Sequence, residues 1–289
     1  MMNSDRFTVV DFPASRLGTI DLGRIGRTKH HIAALLEIDV TEARRRLRLL
    51  RKDSGDPLSF TAWLIRTIGA AIAAHKEVHA LLHAGGRKLI VYDDIDVATV
   101  VEKKVEGRLV PLPVVIAAAH RKPISEIDRE IAAAKARPVV DEADHVLTKS
   151  LSTAQMKLYY LLPSFLRVAV LRGILSRPSL RKRLMGTVML SSVGTVRAVP
   201  GWFIHKSYHN LSFGVGSVIK KPWIVDGRIA PREVLNLTIL LDHDVVDGAP
   251  MARFVAHLVH LLETGDGLPA PTPTGSPVAG GAKPVEGGS

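Results

Sequence analysis

The chain has 289 residues, 46% hydrophobic and 23% charged, which is enough apolar content for a sizeable buried core. It has no cysteine, which excludes disulfides, thiolate metal sites and a cysteine nucleophile. Its formal charge of +11 would suit nucleic acid, an anionic membrane surface or an anionic small molecule, but aromatics are only 5% and do not interleave with the basic runs, so no base-stacking platform and no nucleic-acid partner is expected.

Met1 to Arg6 lacks the apolar core of a signal peptide. The most apolar run, Tyr159 to Leu175, is interrupted by Pro163, Arg167 and Arg172, so a soluble, cytoplasmic chain is expected. Residues 1–30 have weak periodicity and read as an N-terminal arm. His31 to Val40 reads as a strand, and Asp39 or Thr41 can cap a helix over Glu42 to Lys52. Asp53 to Pro57 is a loop, after which Ser59 caps an apolar helix from Phe60 to His75, with Leu64, Ile68, Ala71 and Ile72 on one face. Past Gly85-Gly86 the period becomes two: Lys88 to Tyr92, Asp96 to Glu102 and Leu109 to Ala118 read as strands, and Ile124 to Ala136 as a helix.

Gly186 to Val193 and Leu211 to Ile219 are further strands; Gly214 and Gly216 in the second mark a close backbone approach. Trp223 to Ile229 is a hairpin around Asp226-Gly227, a type I′ turn signal. Val234 to Leu241 is a long apolar strand ending at Asp242, and Ala249 to Leu262 is a helix. From Thr264 to Ser289 the chain is rich in Gly, Pro, Ala, Ser and Thr and is set outside the fold.

The run Asp242-His243-Asp244-Val245-Val246-Asp247-Gly248 joins that strand to that helix. A histidine there can take a proton from an acceptor, and an aspartate four residues on can hold its loop. On spacing alone, an ordinary strand-to-helix turn with a capping aspartate is the better reading. The surroundings change the balance. The run resembles the D-H-R-x-x-D-G motif of the catalytic domain of the acyltransferase component of 2-oxo acid dehydrogenase complexes, a family related to chloramphenicol acetyltransferase. Four further stretches resemble the family in the same order: His31 with Glu37 to Thr41, Gly107 to Val115 with Ile124 to Ile131, Gly186 to Gly194, and Trp223 to Ile229.

The resemblance implies an α/β fold, a chloramphenicol acetyltransferase-like sandwich with a mixed sheet and packed helices. It places His243 on the general base, Asp247 on the structural aspartate, with Arg16 as its candidate partner, and Ser191 on the oxyanion donor. Ser192 is the fallback, because a one-residue slip exchanges the faces of a strand. Without the resemblance the two serines read equally well as a polar pair on a half-exposed strand. It also implies a homotrimer with the site between subunits, acyl-coenzyme A as donor, and a dihydrolipoamide-like thiol or other small molecule as acceptor. The expected organisation is an arm over 1–30, a catalytic domain over 31–263 and a tail over 264–289.

Four departures qualify the resemblance. Asp244 stands where the family has arginine, and His30 where it has proline. No lipoyl-bearing or subunit-binding segment is recognised before the catalytic region, so a lipoamide arm is expected from another chain, with a dehydrogenase as a further partner; a plain trimer is preferred to a larger cage. A segment of about 151–183 is inserted. It reads as a helical hairpin packing on the trimer; an amphipathic lid, an acyl-chain pocket or a membrane-surface contact is the alternative. His75, His79, His83, His205, His209, His257 and His260 show no metal-ligand pattern, and no metal is expected. The rival function is a non-catalytic trimeric scaffold on the same fold.

Overall fold

The computed structural model describes residues 7–10, 12, 15–54, 58–83, 85–105, 108–136, 153–193 and 199–269. The helices are α1 (Ser15–Gly26), α2 (Thr41–Ser54), α3 (Phe60–Ala74), α4 (Ile124–Ala136), α5 (Thr153–Leu161), α6 (Ser164–Leu175), α7 (Pro178–Met185) and α8 (Gly248–Thr264). The strands are β1 (His31–Asp39), β2 (Leu81–His83), β3 (Lys88–Ile90), β4 (Val97–Val105), β5 (Arg108–Ile116), β6 (Val188–Ser192), β7 (Leu211–Val225) and β8 (Arg228–Asp242). Residues 55–57 of the expected loop, 151–152 of the insertion, Gly194 and the tail from 270 lie outside the described residues.

Six strands form one mixed sheet in the order β1-β8-β7-β6-β4-β5, with β6 parallel to both of its neighbours. Period-two alternation decides its faces. Leu235, Leu237, Ile239 and Leu241 of β8 pack with Phe213 of β7, Leu190 of β6, Trp63 of α3 and Phe254 of α8 in one core. Asn236 and Thr238 point to the other face, and they too are buried, because the segment after residue 199 runs across it. There Asn236 Nδ2 donates to the Gly201 carbonyl at 3.1 Å, and His205 Nε2 lies 2.8 Å from Ser212 Oγ. Gly214 is needed for this crossing: a Cβ on it would stand 2.8 Å from His205 Nδ1 and from the Phe203 carbonyl oxygen. The close approach expected at that glycine is thus made by a histidine.

Local signals act as their chemistry dictates. Ser59 Oγ accepts the Ala62 N–H at 3.1 Å and starts α3. Asp39 Oδ1 accepts the Thr41 amide at 3.0 Å ahead of α2. The β7–β8 turn has φ of 50° at Asp226 and 76° at Gly227, as a type I′ turn requires.

The arm and the first residues of the assigned tail both pack on the body of the fold. The arm contains α1, whose buried Asp21 accepts Arg167 Nε of α6 at 2.8 Å and the Tyr159 hydroxyl of α5 at 3.2 Å. The assigned tail begins with a packed turn: Trp63 Nε1 donates to the Asp266 carbonyl at 2.9 Å, and Leu268 is buried. The inserted helices make a satellite core of Tyr159, Leu171, Leu175, Leu184 and Met185 with Tyr208. No helix among the described residues is long and apolar enough to cross a membrane.

Candidate active site

β8 is buried along its last nine residues and delivers the chain rigidly to a turn at one end of the sheet. Its final residue, Asp242, is 2% exposed, and its Oδ2 pairs with Lys29 Nζ at 2.9 Å. His243 follows, exposed, with its backbone N–H donated to the His30 carbonyl at 3.0 Å. The Val245 N–H closes the turn on the Asp242 carbonyl at 3.0 Å. The imidazole of His243 therefore sits on a backbone held from both sides while its ring faces outward.

Asp247 stands at the N-cap of α8 with φ −77° and ψ 166°, yet its side chain makes no capping hydrogen bond. Its carbonyl accepts the Met251 N–H at 3.1 Å. The carboxylate is thus not consumed by the helix end, as the capping reading would require. The expected Arg16 partner is elsewhere: the Arg16 guanidinium lies 6.0 Å from the Phe12 ring centroid, and among the described residues it forms no ion pair with Asp247.

Ser191 and Ser192 end β6, opposite Gly214 and Val215 of β7 respectively. Ser192 lines a cleft of about 340 Å³ between α2, α3 and the sheet, with Leu64, Leu190 and Val215 beneath and Arg44, Arg48 and Arg51 along its wall. Arg44 and Arg48 are both drawn to Glu233, at 3.4 Å and 2.9 Å. Ser191 points to the other face of the sheet by alternation. Its register partner Gly214 faces Thr238 of β8, and His243 lies five residues beyond Thr238. At the rise of a strand this puts Ser191 and His243 of one chain roughly 16 Å apart along the sheet, with two strand spacings to cross as well. The fold brings His243 and Asp247 into one turn and keeps Ser191 away from both.

Two further histidines tie down the same end of the sheet. His31 Nε2 donates to the His209 carbonyl at 2.8 Å, and His209 Nε2 donates to the Met185 carbonyl at 2.8 Å. Burial, ahead of the nearby Arg181 charge, pushes the His209 imidazole down to about 3, so it is neutral at physiological pH. Neither was singled out from sequence as part of the site; the consecutive His30-His31 pair entering β1 was the available signal.

The family model described as 2-oxoacid dehydrogenases acyltransferase (catalytic domain) matches residues 25–140 and 186–268. The chain belongs to this family. The lipoamide acyltransferase component of the branched-chain alpha-keto acid dehydrogenase complex of Bacillus subtilis (strain 168) is 24% identical over 241 residues, covering 82% of this chain and 47% of that protein. The chain therefore spans about half the length of that relative. Among solved structures, a probable dihydrolipoamide acetyltransferase from Listeria monocytogenes 4b F2365 superposes with a TM-score of 0.62 at 20% identity, covering 91% of this chain and 96% of that one. Dihydrolipoamide acetyltransferase of Azotobacter vinelandii, whose structure was studied for the roles of a serine, a histidine and an asparagine in its mechanism, superposes with a TM-score of 0.61 at 20% identity, covering 89% and 92%. Both share the fold of a mixed sheet with packed helices.

Within this family pattern the two departures, His30 and Asp244, meet each other. His30 Nδ1 lies 2.9 Å and 3.0 Å from the two Asp244 carboxylate oxygens. Asp244 thus turns toward His30 and β1, and with the Lys29–Asp242 pair it brackets His243. The hydrogen bond that His30 donates to Asp244, then the Asp244 charge, raises the His30 pKa above its ordinary 6.5. A raised folded-state value means that the pair adds stability below pH about 6.5 and loses it as pH rises through the folded pKa of His30. The pair is exposed, so its worth for stability is small. Asp244→Asn should bring the His30 titration, followed by NMR of the ring protons, back toward about 6.5; an unmoved titration would show that Asp244 is not its cause.

Proposed function

We propose that the chain is an acyltransferase, moving an acyl group between coenzyme A and a thiol of the dihydrolipoamide kind, in which His243 takes the acceptor proton. The observation that carries this reading is His243 itself, outward-facing on a turn clamped at Asp242, His30 and Val245. In the Azotobacter vinelandii enzyme the studied serine precedes the histidine, and the histidine precedes the asparagine, by the same intervals that separate Ser191, His243 and Asp247 here. Asp247 stands where that protein has asparagine, with a carboxylate that does not cap α8; Ser191 donates to the oxyanion that forms when the acceptor attacks the thioester.

Ser191 is too distant from His243 in its own chain for this, so the working site joins His243 of one chain to Ser191 of the next in a homotrimer. A lipoyl-bearing chain and a dehydrogenase are the partners this activity would need.

The test is thiol release from a panel of acyl-coenzyme A donors with dihydrolipoamide, followed by subunit mixing. His243→Ala and Ser191→Ala should each be nearly inactive. Co-refolded, they should regain about a quarter of wild-type activity, because random trimers restore that share of intact sites. No recovery from mixed trimers would mean that Ser191 and His243 do not meet across neighbouring chains. A folded trimer with no turnover on any donor would favour the scaffold reading.

A further inference from the structure

The stretch between the two matched parts of the chain, 141–185, includes α5, α6 and α7. Its buried side is accounted for by the satellite core and the Arg167–Asp21 ion pair. Its outer side is not. Leu161 is 82% exposed and Phe165 70% exposed, on either side of the Leu162-Pro163 corner, with Leu158, Leu166 and Val170 also exposed. On α6 the exposed residues Phe165, Leu166, Ala169 and Val170 share a face with exposed Arg172, seven residues after Phe165.

The charge of this region is one-sided. No Asp or Glu occurs between Asp144 and Asp226, and residues 151–185 contain seven Lys or Arg. Arg167 is satisfied by Asp21 and Lys182 by Asp94, at 2.8 Å and 3.3 Å, whereas Arg172, Arg177 and Arg183 are exposed. An exposed apolar corner beside arginines that pair with no carboxylate among the described residues suits a partner that is apolar inside and anionic outside.

We propose that the α5–α6 corner is a docking surface for an anionic lipid bilayer, with Leu161 and Phe165 entering the acyl boundary and Arg172 and Arg177 meeting lipid phosphates. Interfacial segments have this composition: a basic polar rim on an apolar face, too short to span. A second copy of the chain is the poorer occupant. An isologous contact would press the same cations against each other, with no carboxylate in residues 151–185 to answer them, and a heterologous contact within a trimer would show as a loss of oligomer mass when the corner is changed. A nucleic acid would answer the arginines but leave the aliphatic row uncovered, since only Phe165 among these exposed side chains could stack on a base. The proposal does not depend on the chain being catalytically active.

The test is cosedimentation of the full chain with vesicles of phosphatidylcholine alone, and with about a third phosphatidylglycerol. Binding is expected to the anionic vesicles only. Leu161→Ser with Phe165→Ser should lower the partition at least about tenfold, and Arg172→Gln about fivefold. Raising salt should imitate the arginine change. Circular dichroism melts and light scattering on each variant establish that fold and mass are retained. Failure of the wild type to sediment with anionic vesicles overturns the proposal, as does undiminished binding by the serine variant. A drop in oligomer mass in that variant would overturn it in favour of a contact between copies.

Discussion

Alanine in place of His243 is expected to lower kcat for acyl transfer by at least about a hundredfold, the usual contribution of a positioned general base. KM for the acyl donor should change little. The thermal midpoint should stay within about a degree, because His243 is exposed and its side chain supports no packing. The backbone clamp needs no imidazole: the His243 amide bond to His30 survives the substitution. Initial rates against donor concentration, with a melting curve on the same sample, separate the two readouts. Retained turnover would remove His243 from the chemistry. A loss of activity matched by a loss of stability would mark it as a structural residue of the turn.

The largest expected stability effect lies far from that turn, at Asp21. Its carboxylate is fully buried and accepts Arg167 Nε at 2.8 Å and the Tyr159 hydroxyl at 3.2 Å. Asp21→Ala leaves the Arg167 guanidinium, 7% exposed, without its counter-charge. Breaking a buried pair from one side costs about 3–5 kcal/mol. Removing both charges should cost less, so Asp21→Leu with Arg167→Met is expected to recover most of the loss. Denaturant titrations of the three variants check this. Equal destabilisation by the single and double changes would mean that the pair orders α1 against α6 by shape rather than charge. The docking proposed for the α5–α6 corner depends on this anchor, so Asp21→Ala should weaken vesicle binding as well.

Much of the fold was legible because its signals are local. Ser59 ahead of an apolar helical run and Asp226-Gly227 between β runs each act through neighbouring backbone. The candidate site was legible in part. His243 and Asp247 lie within one turn, so their association is a matter of sequence distance alone. Ser191 was found only through resemblance, since nothing in two adjacent serines tells which face of β6 each occupies until the register with Gly214 and Val215 is set. The pairing of His30 with Asp244 escaped for a related reason: each was noted as a separate departure, and only the antiparallel register of His31 with Asp242 brings them together.

The α1 helix marks the boundary most sharply. Gly18, Gly23 and Gly26 dilute its propensity. What holds it is Arg167, 146 residues away. The sequence by itself determined the elements, the turn that carries the histidine, and the one-sided charge of the inserted helices, because these depend on periodicity and composition. The tertiary structure alone decided which charges are buried in pairs, which serine faces the cleft, and that Ser191 and His243 of one chain stand apart, because those outcomes depend on strand register and on contacts between residues far apart in the chain.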